Sequence, residues 1–364
     1  MLWQEDLVPV SRKTAESLAR NTAELYVEAE RIMLERIARN LAKGIDAPLW
    51  AERKLASLQA YEAQTRHLIR DLQMQARTGV ETALTQAYDR GGLAAVADLK
   101  PILGKGNEPV QPLPGIKAVE SIAAETMGKL DATGQRILVT TRALYRESVS
   151  AGTNQVLLGT QTRLQATQTV LDDFAKKGIT GFIDAAGRAW NLTSYAEMAV
   201  RAGTMNAAVA GHMDTLVAND LDLVIVSADG SPCPDCQPWE GEVLSISGDS
   251  DEYPALEEAE AAGLLHPGCL HDYSAYQEGI TQPYPEKSEA DLEAEAQRYK
   301  DNQQQRLIER NIRESKRMEA VALDPAAAQK AADRVAYYQA QAREHVANTS
   351  AVRQYAREQV GKAH

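Results

Sequence analysis

Two short stretches decide how this chain reads: Ser231-Pro232-Cys233-Pro234-Asp235-Cys236 and His266-Pro267-Gly268-Cys269-Leu270-His271, with twenty-nine residues between Cys236 and His266. Together they hold all three cysteines and two of the six histidines. A Cys-x-x-Cys turn presents both sulfurs on one side, and a second pair of ligands spaced by two completes a tetrahedron around Zn2+. The prolines and Gly268 suit such turns by restricting or freeing the backbone locally. Three cysteines cannot all pair, and a disulfide scaffold in a chain this long would need more of them. Metal ligation in a reducing compartment is therefore the leading reading. The candidate ligands are Cys233, Cys236, His266, Cys269 and His271. Spacing pairs His266 with Cys269 as the first knuckle pairs its cysteines, while His271 is near enough to ligate instead or to support a ligand. A closed Cys3His set leaves no position for water, so the expected cofactor is a structural Zn2+.

The flanks of these stretches read as a small α+β unit over residues 178–285. Leu221 to Val226 is a buried strand, and Gly241 to Ile246 is its antiparallel neighbour. Tyr253-Pro254 opens a short acidic helix that Gly263 closes. Upstream, Gly181 to Trp190 reads as two short strands around a glycine-containing turn. Ser194-x-x-Glu197 reads as a capping box, followed by a helix burying Tyr195, Met198, Ala202, Met205, Val209 and Leu216.

Further out the chain is helical. Leu18, Leu25 and Ile32 recur at sevens, with Ala29, Ile37 and Leu41 on or near the same stripe. Gly44 ends that helix, and Asp46-Ala47-Pro48 starts another that carries Leu55, Leu58, Leu68 and Leu72. Between residues 101 and 115, Pro101, Gly104, Gly106, Pro109, Pro112, Pro114 and Gly115 leave room only for a linker or irregular arm. Helical pattern resumes from Ile116 to Lys177 and ends at Gly178. It returns after Pro283 and Pro285, with a break and fresh N-cap at Asp324-Pro325. The expected fold class is α+β, predominantly α, with long helices flanking a small zinc-stapled module. The expected divisions are 1–100, 101–115, 116–177, 178–285 and 286–364.

Composition sets the outer limits. The 364 residues carry a net charge of -12, with 25% charged, 44% apolar and only 5% aromatic residues. That balance favours thin, Ala-rich helix contacts over one large core. A general nucleic-acid coat is disfavoured, because the net charge repels phosphate wherever no basic face overrides it. No run of eighteen apolar residues occurs, so no membrane span is expected. The opening residues, Met1 to Asp6, lack a basic segment followed by an apolar one, so no secretory signal is expected.

Two catalytic readings compete with a structural zinc. Cys233-x-x-Cys236 matches half of the zinc deaminase signature, and His212-Met213-Asp214 has the shape of the other half with the wrong acid. That reading leaves His266, Cys269 and His271 without a role. A zinc nuclease would want a cation near the site, yet residues 249–260 carry six acids and no base. One further pattern stands out near the C-terminus. Arg306, Arg310, Arg313 and Arg317 are spaced four, three and four, which sets them on one helical face. Residues 298–317 contain seven basic and three acidic residues, a local +4. This is a candidate electrostatic face for a protein partner, with duplex phosphate as second choice.

Residues 178–277 resemble the phage minor capsid protein 2 family, within the broader group of Mu F-like head morphogenesis proteins. The resemblance is carried by Gly178 to Asp184, Gly187 to Trp190 and Thr193 to Arg201. It continues through Asp222 to Val224, Ser227, Cys233, Pro234, Cys236, Pro238, Trp239 and Gly241, then Tyr253, Pro254 and Leu256. It closes on Gly263, Leu264, His266, Pro267, Cys269 and His271. The tail, with Arg306, Arg310, Ile312, Arg313 and Ala322 to Pro325, resembles the family's helical end. The resemblance implies a virion component made in a bacterial host's cytoplasm and carried at the portal vertex of the capsid. Its implied partners are the portal protein and the major capsid protein, with packaged double-stranded DNA as a further candidate. No catalytic residue is implied. Related proteins often carry Cys where this chain has His271, which implies a ligand there. The alternative is a zinc-dependent enzyme acting on nucleic acid, a nuclease or deaminase.

Overall fold

Long Ala-rich stretches without β-branched runs become helices, and the few short β-branched runs become strands. The computed structural model describes residues 12–104, 107–110, 115–183, 189–228, 235–266, 269 and 271–360. Helices α1 (Arg12–Ala42), α2 (Trp50–Leu103), α3 (Ile116–Leu157) and α4 (Arg163–Lys177) come first. A hairpin follows, β1 (Thr180–Ile183) with β2 (Ala189–Asn191), and then α5 (Leu192–Val217). Strand β3 (Leu223–Val226), β4 (Val243–Ser245), α6 (Leu256–Ala261) and β5 (Tyr273–Ala275) lead into α7 (Glu289–Ala320) and α8 (Pro325–Asn348). Helix makes up 73% of the protein, which is the α+β, predominantly α class expected. No described helix is long and apolar enough to cross a membrane.

The chain packs as two units, each gathered from three segments: 1–21, 77–128 and 197–300 in one, 22–76, 129–196 and 301–364 in the other. The first unit holds the three-stranded antiparallel sheet, ordered β4-β3-β5. Its core joins Leu99, Met213 and Leu216 from the helices to Val224, Val226, Leu244, Leu256, Leu264 and Tyr273, and Cys236 lies within it. The edge strand β5 is tied down by Asp98 on α2, whose carboxylate accepts from the Ala275 amide at 3.1 Å. That bond occupies an edge donor that would otherwise be open to another chain. At the other edge, Asp222 accepts from the Ser245 hydroxyl at 2.6 Å and the Ser247 amide at 2.8 Å, fixing the exit of β4.

Within the same unit α2 and α5 meet backbone to backbone. A Cβ placed on Gly91 would stand 1.9 Å from the Ala208 carbonyl oxygen, and one on Gly211 would stand 2.0 Å from that of Tyr88. The buried stripe of α5 is accordingly Ala199, Val200, Thr204, Ala207, Ala208, His212 and Leu216. Of the expected stripe Tyr195 and Leu216 are buried, while Met198, Ala202, Met205 and Val209 are only half-buried. The cap differs too, since Asn191 accepts from the Ser194 amide at 2.8 Å and starts the helix earlier than Ser194.

The second unit is centred on Tyr26, Met33, Leu34, Ile37, Trp50, Leu130, Ile137, Tyr145 and Leu171, all nearly inaccessible to solvent. Trp50 donates its indole N–H to the Leu41 carbonyl at 3.0 Å, which closes the turn between α1 and α2. Between α3 and α4 the chain breaks at Leu158–Thr162. Gly159 takes φ 68°, and Thr162 with Gln165 forms a full capping box. Gly178, at φ 71°, ends α4 beside Glu30. That buried carboxylate accepts from the Ile179 amide and the Thr193 hydroxyl, each at 3.0 Å, and so seats the hairpin. Asp324 caps α8 as expected, accepting from the Ala327 amide at 2.8 Å.

Candidate metal centre

Two turns bring the soft ligands together. Cys236 leads into a 3-10 turn, Gln237–Trp239, with the Trp239 amide donating back to the Cys236 carbonyl at 3.0 Å. After α6 the chain reverses through Gly263 (φ 114°) and Leu265 (φ 57°), and the Cys269 amide donates to the His266 carbonyl at 2.8 Å. Cys236, His266 and Cys269 thereby place their ligand atoms within 4.8 Å of one another. The two sulfurs lie 3.4 Å apart, and Cys269 Sγ lies 3.3 Å from Nδ1 of His271. With Zn–S near 2.3 Å and Zn–N near 2.0–2.1 Å, the edges of a tetrahedral site are about 3.5–3.8 Å. These separations fit such an ion. Cys233 lies outside the described residues.

The surroundings suit a bound cation. Cys236 is fully buried and Cys269 partly so. The Cys269 thiol is pulled down to about 4, chiefly by the Cys236 thiol, against burial and with help from His271. Thiolate is the form that binds metal. His271 is also buried, and its far nitrogen, Nε2, lies 2.7 Å from Glu240 Oε1. An imidazole held by a carboxylate on one nitrogen, with the other beside the Cys269 sulfur, is the arrangement that outer carboxylates impose on metal-bound histidine, while the ligand atoms mutually within 4.8 Å are those of Cys236, His266 and Cys269. Glu240 also contacts Lys287, which reaches Glu295 on α7 at 2.7 Å. Burial works against the Lys287 ammonium, but its bonds to both carboxylates outweigh that and raise its pKa. Glu240 and Lys287 were missed from sequence. A carboxylate four residues past a knuckle is a weak signal, and Lys287 carries none.

His212 and Asp214, the half-signature of a deaminase, are engaged elsewhere. His212 Nε2 is 3.2 Å from Asp98, and Asp214 accepts from the Tyr88 hydroxyl at 2.5 Å. The arginine stripe is divided. Arg310 is exposed, and Arg306 and Arg313 are half-buried near Glu309. Arg317 is buried, donating Nε to the Ala175 carbonyl at 2.8 Å and Nη2 to that of Lys176 at 3.3 Å. Its guanidinium caps the end of α4.

The family profile described as Phage minor capsid protein 2 matches residues 10–347, nearly the whole chain, and the protein belongs to that family. The match takes in the N-terminal helices α1, α2 and α3. No curated protein and no solved structure matches it significantly.

Proposed function

We propose that this protein is a structural component of the phage head, placed at the portal vertex during assembly, whose β3-β4-β5 module is closed by one Zn2+. The observation that carries the reading is a family match of near full length together with a Cys/His cluster set in a hydrophobic core. Cys233, Cys236 and Cys269 supply thiolates, and one of His266 and His271 supplies the fourth ligand. The ion, when bound, cross-links two loops that have little core of their own. No catalysis is assigned, since a closed set leaves the ion no open position. The portal protein and the major capsid protein are the proposed partners, with packaged double-stranded DNA a further one. The exposed and half-exposed part of the arginine stripe, Arg306, Arg310 and Arg313, is the proposed contact face for protein.

Labelling the protein in assembled heads tests its place: density at the single portal vertex is expected, and a uniform distribution over the capsid would overturn it. Zinc retention against a chelator tests the ligand set. One of His266→Ala and His271→Ala is expected to release zinc readily while the other holds it. Glu240→Gln is expected to weaken zinc about 10–100-fold if His271 is the ligand, and to leave affinity unchanged if His266 is. Equal and mild effects in all three variants would mean that the histidines do not ligate.

A further inference from the structure

The strongest unassigned feature lies in the second unit, on the α1–α2 hairpin. A cleft of about 730 Å3 is lined by Arg36, Arg39 and Asn40 from α1 and by Tyr61, Gln64, His67, Leu68 and Asp71 from α2. On α1, Arg36, Arg39 and Asn40 share a face, and exposed Lys43 continues it at the next turn. Three cations thus follow one another over about 10 Å of helix.

These groups are free to bind. Arg36 and Lys43 form no ion pair among the described residues. Arg39 has only a loose one, 3.7 Å to Glu35, with its side chain 74% exposed. Glu35 is drawn away by a closer pairing with Arg31. The one carboxylate in the lining, Asp71, faces His67 at 3.5 Å. Asn40 is built into place: its Oδ1 accepts from the Tyr145 hydroxyl at 2.8 Å, and its carbonyl accepts from Lys54 Nζ. Tyr61, the aromatic residue of the lining, is itself buried.

We propose that this cleft binds the phosphate backbone of duplex DNA without sequence preference. The inference deepens the DNA contact of the proposed function by giving it a surface, and it is independent of the metal. Around the cleft, Arg36, Arg39 and Lys43 stand against the single carboxylate of the lining, Asp71, in a chain whose net charge is -12. Arg, Lys, Asn, Gln and Tyr are the side chains that contact phosphate oxygens without reading bases. An acidic protein partner would need an apolar centre to the interface, and Leu68 with the Tyr61 ring is all the cleft offers.

The test is fluorescence anisotropy of the full chain with a labelled 30-base-pair duplex, titrated over a range of salt. Each phosphate contact contributes about 0.9 to the slope of log affinity against log salt. The triple variant R36Q/R39Q/K43Q is expected to lose more than about tenfold in affinity at low salt and to flatten that slope by about 2. Circular dichroism checks that its helices persist, and the single variant Arg36→Gln gives a smaller effect of the same sign if the triple variant is misfolded. Undiminished duplex binding by a folded variant, no binding by the unsubstituted protein, or preference for polyglutamate over the duplex would each overturn the proposal. Because purified protein is used, failure here is distinguishable from failure of the head assignment.

Discussion

Replacing Cys236 with serine is expected to release the zinc and loosen the loops on both sides of β4 together. The side chain is fully buried among Val224, Leu244 and Tyr273, and its sulfur is 3.4 Å from that of Cys269. In small zinc modules metal binding contributes on the order of 10 kcal/mol of folding free energy. Here the surrounding core keeps part of the unit folded, so the loss is expected to fall on residues 227–272, which should become protease-sensitive. Elemental analysis should show one zinc per unsubstituted chain and well under half an equivalent in the variant. Chelating the unsubstituted protein should open the same segment, which separates metal loss from any packing defect of the serine. A variant that keeps a full equivalent of zinc would remove Cys236 from the site.

The second large effect is expected at Glu30. Its carboxylate is buried and accepts from the Ile179 amide and the Thr193 hydroxyl. It also stabilises the charge of Arg317, whose pKa burial would otherwise lower further. Glu30→Ala leaves a buried amide and hydroxyl without their acceptor and removes a nearby negative charge that favours the Arg317 guanidinium. Each buried group left without its partner typically costs about 1–3 kcal/mol. The shift in the urea midpoint measures it, with Glu30→Gln expected to fall between because one acceptor survives. A cost below about 1 kcal/mol would show that water replaces the carboxylate and that the hairpin is seated by other contacts.

How much of this could be read from the residues follows the range of each signal. The hairpin, β3, β4, the acidic helix and the Asp324 cap were legible, because each is written in a few adjacent side chains. So was most of the candidate metal cluster, since Cys236, His266 and Cys269, picked out by their paired spacing, do come together in the fold. Strand β5 escaped because three residues, Tyr273–Ala275, are too short to show alternation. The break between α3 and α4 was visible in Gly159 and the Thr162–Gln165 box, but the helical pattern on either side outweighed it. The stripe of α5 was read only in part: Tyr195 and Leu216 are buried as expected, but the closest approaches fall on Ala and Gly, while the bulkier Met198, Met205 and Val209 stay half-buried. Arg317 looked like its neighbours on the stripe. Only the long-range approach of the α4 terminus separates it from Arg310.

The three-segment build of each unit sets a schedule for synthesis. The first unit needs residues from 77–128 and from 197–300, and the second cannot be completed before 301–364 has emerged. At roughly 5–20 residues per second, the ribosome takes about 3–20 seconds to travel from one required segment to the next. Until then the helices already made lack part of the segment set that completes their unit, so a chain cut short near its middle lacks segments of both units.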